Sequence, residues 1–240
     1  MRPSADSTTE IGILLPHARG AGAGELARRA EAAGFHRIVA PSDRCTDPLV
    51  TLAFAAAATE RVKLATAGLS LPGRRARHVA QAARTLDELS GGRFALWVTA
   101  EPESPPVELT TGAGRAFDTQ LDELGRSVAA AVPLLVAGRD RKALGRVCRC
   151  ADGVVLGPDA CQYDVAGART ELEERWREQG RGGRPEIVAL TEVRGLLELP
   201  GQVAELAGAG ATTVVVVPRP GDRVEELAAA LGSSVGGPGD

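Results

Sequence analysis

Arg37-Ile38-Val39-Ala40-Pro41, then Asp47-Pro48 with an alanine-rich run, then Val62-Lys63-Leu64-Ala65-Thr66-Ala67, reads as one strand–helix–strand unit. The outer runs are short, apolar and rich in β-branched residues, as in parallel strands buried on both faces. Between them Asp47 is a helix N-cap residue and Pro48 suits the first helical position. A strand returning to the same direction through a helix is the unit of an α/β fold.

The same rhythm continues in both directions. Upstream, Ile11–Pro16 is a strand and Glu25–Ala33 a helix, stopped by Gly34. Downstream, a helix over Arg77–Leu89 ends at Ser90-Gly91-Gly92, and strands follow at Arg93–Thr99, Pro133–Ala137, Gly153–Leu156, Glu186–Val193 and Thr213–Pro218. Their helices are read at Arg115–Ala131, Asp140–Arg149, Val165–Gln179, Pro200–Ala209 and Asp222–Leu231. Eight such units in 240 residues predict a single compact (β/α)₈ TIM-type barrel, with residues 1–9 and 232–240 as disordered tails. The rival is an open doubly wound sheet. Gly20-Ala21-Gly22-Ala23-Gly24 lacks the G-x-G-x-x-G spacing that fold would carry and reads as a flexible loop.

Composition narrows the function classes. A net charge of −3 gives no basic field for nucleic acid or an anionic membrane, and 3% aromatics leave few stacking platforms. No apolar run reaches the roughly 18 residues a membrane helix needs. Met1–Glu10 is polar, without a signal core, so a cytoplasmic location is expected. The four cysteines, Cys45, Cys148, Cys150 and Cys161, are then free thiols.

Barrel chemistry sits at the C-terminal strand ends and the loops that follow them. His17 is the one histidine at that end, suited to proton transfer or merely a loop residue; His36 and His78 read as structural. Asp43 and Arg44 form either an acid–base and anchoring pair or a loop salt bridge. Ser70 and Thr99 end the third and fourth strand regions. Gly138-Arg139 precedes a helix and offers amides and a cation to an anion such as a phosphate, unless Asp140 simply caps that helix. Glu192 and Arg194 alternate in the seventh strand and point the same way, inward or outward. Cys148-x-Cys150 cannot share a helix face, so no metal site is expected. Glu101–Gly114, rich in proline and threonine, is long enough to be a lid or binding loop.

Three segments carry a family likeness: Gly34-Phe35-His36 before the second strand, Ala58-Thr59-Glu60-Arg61 before the third, and Thr85-Leu86-Asp87-Glu88-Leu89-Ser90-Gly91-Gly92-Arg93 before the fourth. With Ala151-Asp152-Gly153 and the closing segment Gln202–Val217, they resemble the luciferase-like monooxygenases, flavin- and deazaflavin-dependent oxidoreductases, of which this would be a shortened, divergent member. The resemblance implies a barrel that binds FMN or the deazaflavin coenzyme F-420 across its C-terminal mouth. It also implies hydride transfer or oxygen activation on a small organic substrate. Cofactor contacts are then expected from Ser70, Thr99, Gly138 and Arg139, and catalysis from His17, Asp43 and Arg44. The family's Asp-His or Glu-His is replaced by Ser42-Asp43-Arg44, and its Gly-x-Gly by Trp97-Val98-Thr99. Those replacements motivate two alternatives: a barrel without redox cofactor doing acid–base chemistry, such as an isomerase or cyclase, and a non-catalytic flavin-binding or partner subunit. A homodimer is a candidate assembly.

Overall fold

The computed structural model describes residues 9–16, 22–42, 46–101, 113–128, 131–138 and 140–232. The strands are β1 (Glu10–Leu14), β2 (Arg37–Pro41), β3 (Lys63–Ala67), β4 (Leu69–Ser70), β5 (Phe94–Thr99), β6 (Leu134–Ala137), β7 (Gly153–Leu156), β8 (Glu186–Glu192) and β9 (Thr213–Val217). The helices are α1 (Gly22–Ala32), α2 (Pro48–Ala58), α3 (Ala76–Leu89), α4 (Ala113–Val128), α5 (Arg141–Cys150), α6 (Gln162–Glu178), α7 (Leu199–Gly208) and α8 (Val224–Leu231). All strand pairs are parallel, β1 pairs with β9, and β3 pairs with β5, so the sheet closes. It is a (β/α)₈ barrel in which β3 and β4 share one position.

Two differences from the sequence reading are instructive. The expected glycine-rich loop is helical from Gly22, because Gly22-Ala23-Gly24 forms the first turn of α1, with Ala23 and Gly24 buried. The third strand does not stop at Ala67. Leu64 pairs with Phe94, whereas Leu69 pairs with Val98, so one extra residue is accommodated between them. Gly68, at φ +73°, makes that bulge possible. Thr66 repairs the ladder there: its hydroxyl donates to the Trp97 carbonyl at 2.7 Å and accepts the Trp97 N–H at 2.9 Å.

Alternate residues on each strand face opposite ways. Ile11, Ile38, Leu64, Leu96, Leu134 and Val214 face the helices in the main core. Val39, Ala65, Ala95, Trp97, Leu135, Val155, Val188 and Val215 fill the barrel's interior. Both faces are buried, which is why the strands read as unbroken apolar runs. Gly153 belongs to this interior, and a β-carbon on it would collide with the Glu186 backbone.

The N-terminal end of the interior is charged. Arg37, buried inside the barrel, pairs with Glu186 at 2.7 Å and Glu10 at 3.3 Å, and Lys63 pairs with Glu10. The Arg37 guanidinium also lies 5.5 Å from the centroid of the Trp97 ring. Trp97 and this cluster together plug the barrel from below.

Candidate functional site

At the opposite, C-terminal end the interior is bordered by partly buried side chains. Leu14, Ala67, Ala137 and Leu190 pack partly buried against the interior cluster and form its upper rim. Trp97, 0% exposed, lies among the same residues and is the floor. Its indole N–H is buried with no hydrogen-bond partner among the described residues.

Ser70 is placed here by the bulge. It lies in register with Thr99, and its neighbours Leu69 and Leu71 pack outward in the helical core. Alternation therefore turns Ser70 inward. It is 2% exposed, and among the described residues its hydroxyl has no hydrogen-bond partner. A buried hydroxyl left unpaired costs on the order of 1–3 kcal/mol, which a ligand accepting its hydrogen bond would recover. Thr99 stands beside it, half-buried, its hydroxyl accepting the Glu101 N–H at 3.1 Å. Gly68 faces both Thr99 and Ala137 with no side chain of its own.

Gly138, at φ +143°, turns the chain from β6 into α5, and its N–H donates to Val155 at 3.0 Å. Asp140 caps that helix, its carboxylate accepting the Ala143 N–H at 2.7 Å. One of the amides available to an anion is therefore engaged by a carboxylate. Ser70, Thr99 and Gly138 thus lie on consecutive positions of one side of the mouth. His17, Asp43, Arg44, Cys45 and Arg139 lie outside the described residues, as do residues 102–112 of the expected lid.

Glu192 ends β8 on the inward register of Val188 and Leu190, and is exposed at the rim. Arg194 lies beyond the strand, not within it as expected. Gln202 holds this corner by donating to Thr191 at 3.2 Å and the Glu192 carbonyl at 3.0 Å, and Arg219 donates to the Arg194 carbonyl at 3.0 Å. Asp47 caps α2 through the Leu49 N–H at 2.9 Å and pairs with Arg74 at 2.8 Å. The α2 cap is thereby tied to the segment that follows Ser70.

Among the described residues no group of histidine, cysteine or carboxylate side chains is arranged to hold an ion. Burial pushes the Cys150 thiol up to about 11, which keeps it protonated at neutral pH. Among the described residues no helix is long and apolar enough to cross a membrane.

The luciferase-like monooxygenase family model matches residues 2–125. The chain belongs to this family. Uncharacterized proteins of Mycobacterium tuberculosis and Mycobacterium bovis are 30% identical over 205 residues, covering 72% of this chain and 69% of theirs. Similar folds include the coenzyme F-420-dependent tetrahydromethanopterin reductase of Methanopyrus kandleri, with 16% identity, TM-score 0.73, and coverage of 94% of this chain and 97% of that one. An F-420-dependent secondary alcohol dehydrogenase solved with an F-420–acetone adduct aligns with 15% identity and TM-score 0.77, covering 93% and 99%. A monooxygenase of Streptomyces bottropensis aligns with 17% identity and TM-score 0.73, covering 93% and 96%.

The luciferase-like motifs themselves lie mostly at the other end of the barrel. Arg93, which closes the Thr85–Arg93 signature, donates to the carbonyls of Ser90, Val62, Ala56 and Thr59 and to the Thr59 hydroxyl. It thereby satisfies the carbonyl end of α2 and the loop after α3. Asp152 of Ala151-Asp152-Gly153 accepts the Leu134 N–H at 2.9 Å, and His36 accepts the Ile11 N–H at 3.1 Å. These residues build the scaffold. What sequence reasoning missed was the bulge, although an isolated glycine following Val62–Ala67 was its signal.

Proposed function

We propose that this luciferase-like barrel is an oxidoreductase that binds FMN or coenzyme F-420 at its C-terminal mouth and acts on a small organic substrate. The observation that carries the reading is the Ser70 hydroxyl, buried and without a partner among the described residues, on the inner side of a bulge that also leaves Gly68 bare. This donor fits the acceptor-rich edge of an isoalloxazine or deazaflavin ring, with Thr99 beside it and Gly138 on the side of the phosphate tail; Arg139, next in sequence, is the cation expected to pair with that tail. Such a ring, when bound, supplies hydride transfer, and a flavin also reaction with oxygen. The chain supplies a dry floor in Trp97, a hydrogen bond from Ser70, and proton transfer through His17 or Asp43 with Arg44 as anchor.

An absorbance spectrum of the purified protein and titrations with FMN and with F-420 test this. One cofactor should bind, and Ser70→Ala should weaken it about three- to tenfold, the worth of one hydrogen bond. Failure of both to bind at high micromolar concentration would overturn the reading. Trp97 favours the second reading, because a fully buried indole occupies the place of the family's first glycine. Colourless protein that binds neither cofactor would shift the assignment to acid–base chemistry by Asp43 and His17 on the same barrel.

A further inference from the structure

Near its C-terminal end α4 approaches α5 closely at Gly125, where a β-carbon would stand 2.9 Å from the Cys150 carbonyl oxygen. Beside that contact lies a cavity of about 760 Å³. Its apolar wall is made by Val128, Val132, Leu134 and Cys148. Leu134 begins β6 and Asp152, also at the cavity, precedes β7, so the cavity is at the N-terminal end of the barrel, away from the mouth. An apolar wall edged by a few polar groups, in a volume of this size, is the form of a small-molecule site.

The charged groups at its edge decide which molecule it suits. Three arginines, Arg126, Arg149 and Arg181, stand there with two aspartates, Asp122 and Asp152. Both carboxylates are engaged. Asp122 accepts from Arg149 Nε at 2.7 Å, while Asp152 accepts the Leu134 N–H at 2.9 Å and lies 3.7 Å from Arg181. Arg181 stacks 3.5 Å from the centroid of the Trp176 ring and donates to the carbonyls of Ala151 at 2.9 Å and Val147 at 3.3 Å. It thereby covers the negative end of α5. Arg126 is different. It is exposed, its Nε donates to the Asp122 carbonyl at 3.1 Å, and among the described residues its guanidinium has no carboxylate partner. The Cys150 thiol stays protonated and adds no negative charge. We propose that this cavity binds a small organic carboxylate with an apolar body, its head on Arg126 and its body along Val132, Leu134 and Cys148. A guanidinium pairs a carboxylate through two parallel N–H donors, and the wall removes the apolar body from water. An amine of the same shape would meet Arg126 with like charge.

Hydrogen exchange of the full chain, read by mass spectrometry with and without millimolar decanoate, tests the proposal independently of any cofactor. Slower exchange is expected in peptides covering residues 121–128 and 147–153, with residues 67–71 and 188–193 at the mouth unchanged. Decylamine, which carries the same chain on a cation, should protect neither region. Arg126→Glu replaces a side chain already exposed and should leave the circular dichroism unchanged. It should raise the decanoate dissociation constant about tenfold, because reversal turns one attraction into a repulsion, whereas Arg126→Lys should keep most of the binding. Absence of protection, protection confined to the mouth, or equal protection by decylamine would overturn the proposal. So would an Arg126→Glu variant that binds decanoate as tightly as the wild type.

Discussion

Thr66 does with a side chain what the backbone does elsewhere in the barrel. At the Gly68 bulge the regular ladder to Trp97 is interrupted, and one hydroxyl serves both the amide and the carbonyl of that residue. Both partners are buried, so neither can turn to water. Thr66→Val keeps the shape and removes both hydrogen bonds. It should lower unfolding free energy by about 1–3 kcal/mol in urea denaturation, because it leaves buried polar groups unpaired. Serine at the same position should retain most of that stability. Ser70, on the far side of the same bulge, is the converse case: among the described residues its hydroxyl has no partner, which is why the proposed cofactor site is built on it.

At the scale of elements, the inter-helix turns at the N-terminal end are held by charged side chains on backbone groups. Glu31, near the end of α1, accepts the N–H groups of Glu60 at 3.1 Å, Arg61 at 2.7 Å and Val62 at 2.8 Å, pinning the α2–β3 turn. Burial alone would raise its carboxyl, but the three amides outweigh that and hold it below the usual carboxylate range. A group whose folded value is depressed contributes stability above its unfolded value, and loses it as pH falls through the folded one. The wild type should therefore exceed Glu31→Gln in stability at neutral pH. The gap should close on acidification below the normal glutamate range, as read from urea midpoints across a pH series.

For the whole molecule, the ends of the barrel interior have opposite characters. The N-terminal end is a packed ionic plug on Arg37, and the C-terminal end is an apolar rim around Ser70 and Thr99. Arg37→Ala removes the cation shared by Glu186 and Glu10 and the support beneath Trp97. A loss on the order of 3 kcal/mol is expected, the lower part of the range for breaking a buried pair, because both carboxylates are partly solvated. Thermal unfolding checks it. A change of less than about 1 kcal/mol, the ordinary worth of an exposed pair, would show that the plug is only a surface feature.

All eight strand positions were legible in the sequence, because a parallel strand buried on both faces must be apolar throughout and helices cap themselves with local residues such as Asp47 and Asp140. Those are short-range constraints, and one chain expresses them without reference to the rest. The family signature was legible too, but its role was not. Arg93 looks like any arginine until the carbonyl ends of α2 and α3 are brought within its reach. The same holds for the extra residue at Gly68, which is defined only by comparison of β3 and β4 with β5. Whether Trp97 lies inside the barrel and whether Ser70 has a partner depend on residues distant in sequence. Tertiary structure alone decides them, because burial and hydrogen-bond satisfaction are properties of what surrounds a group.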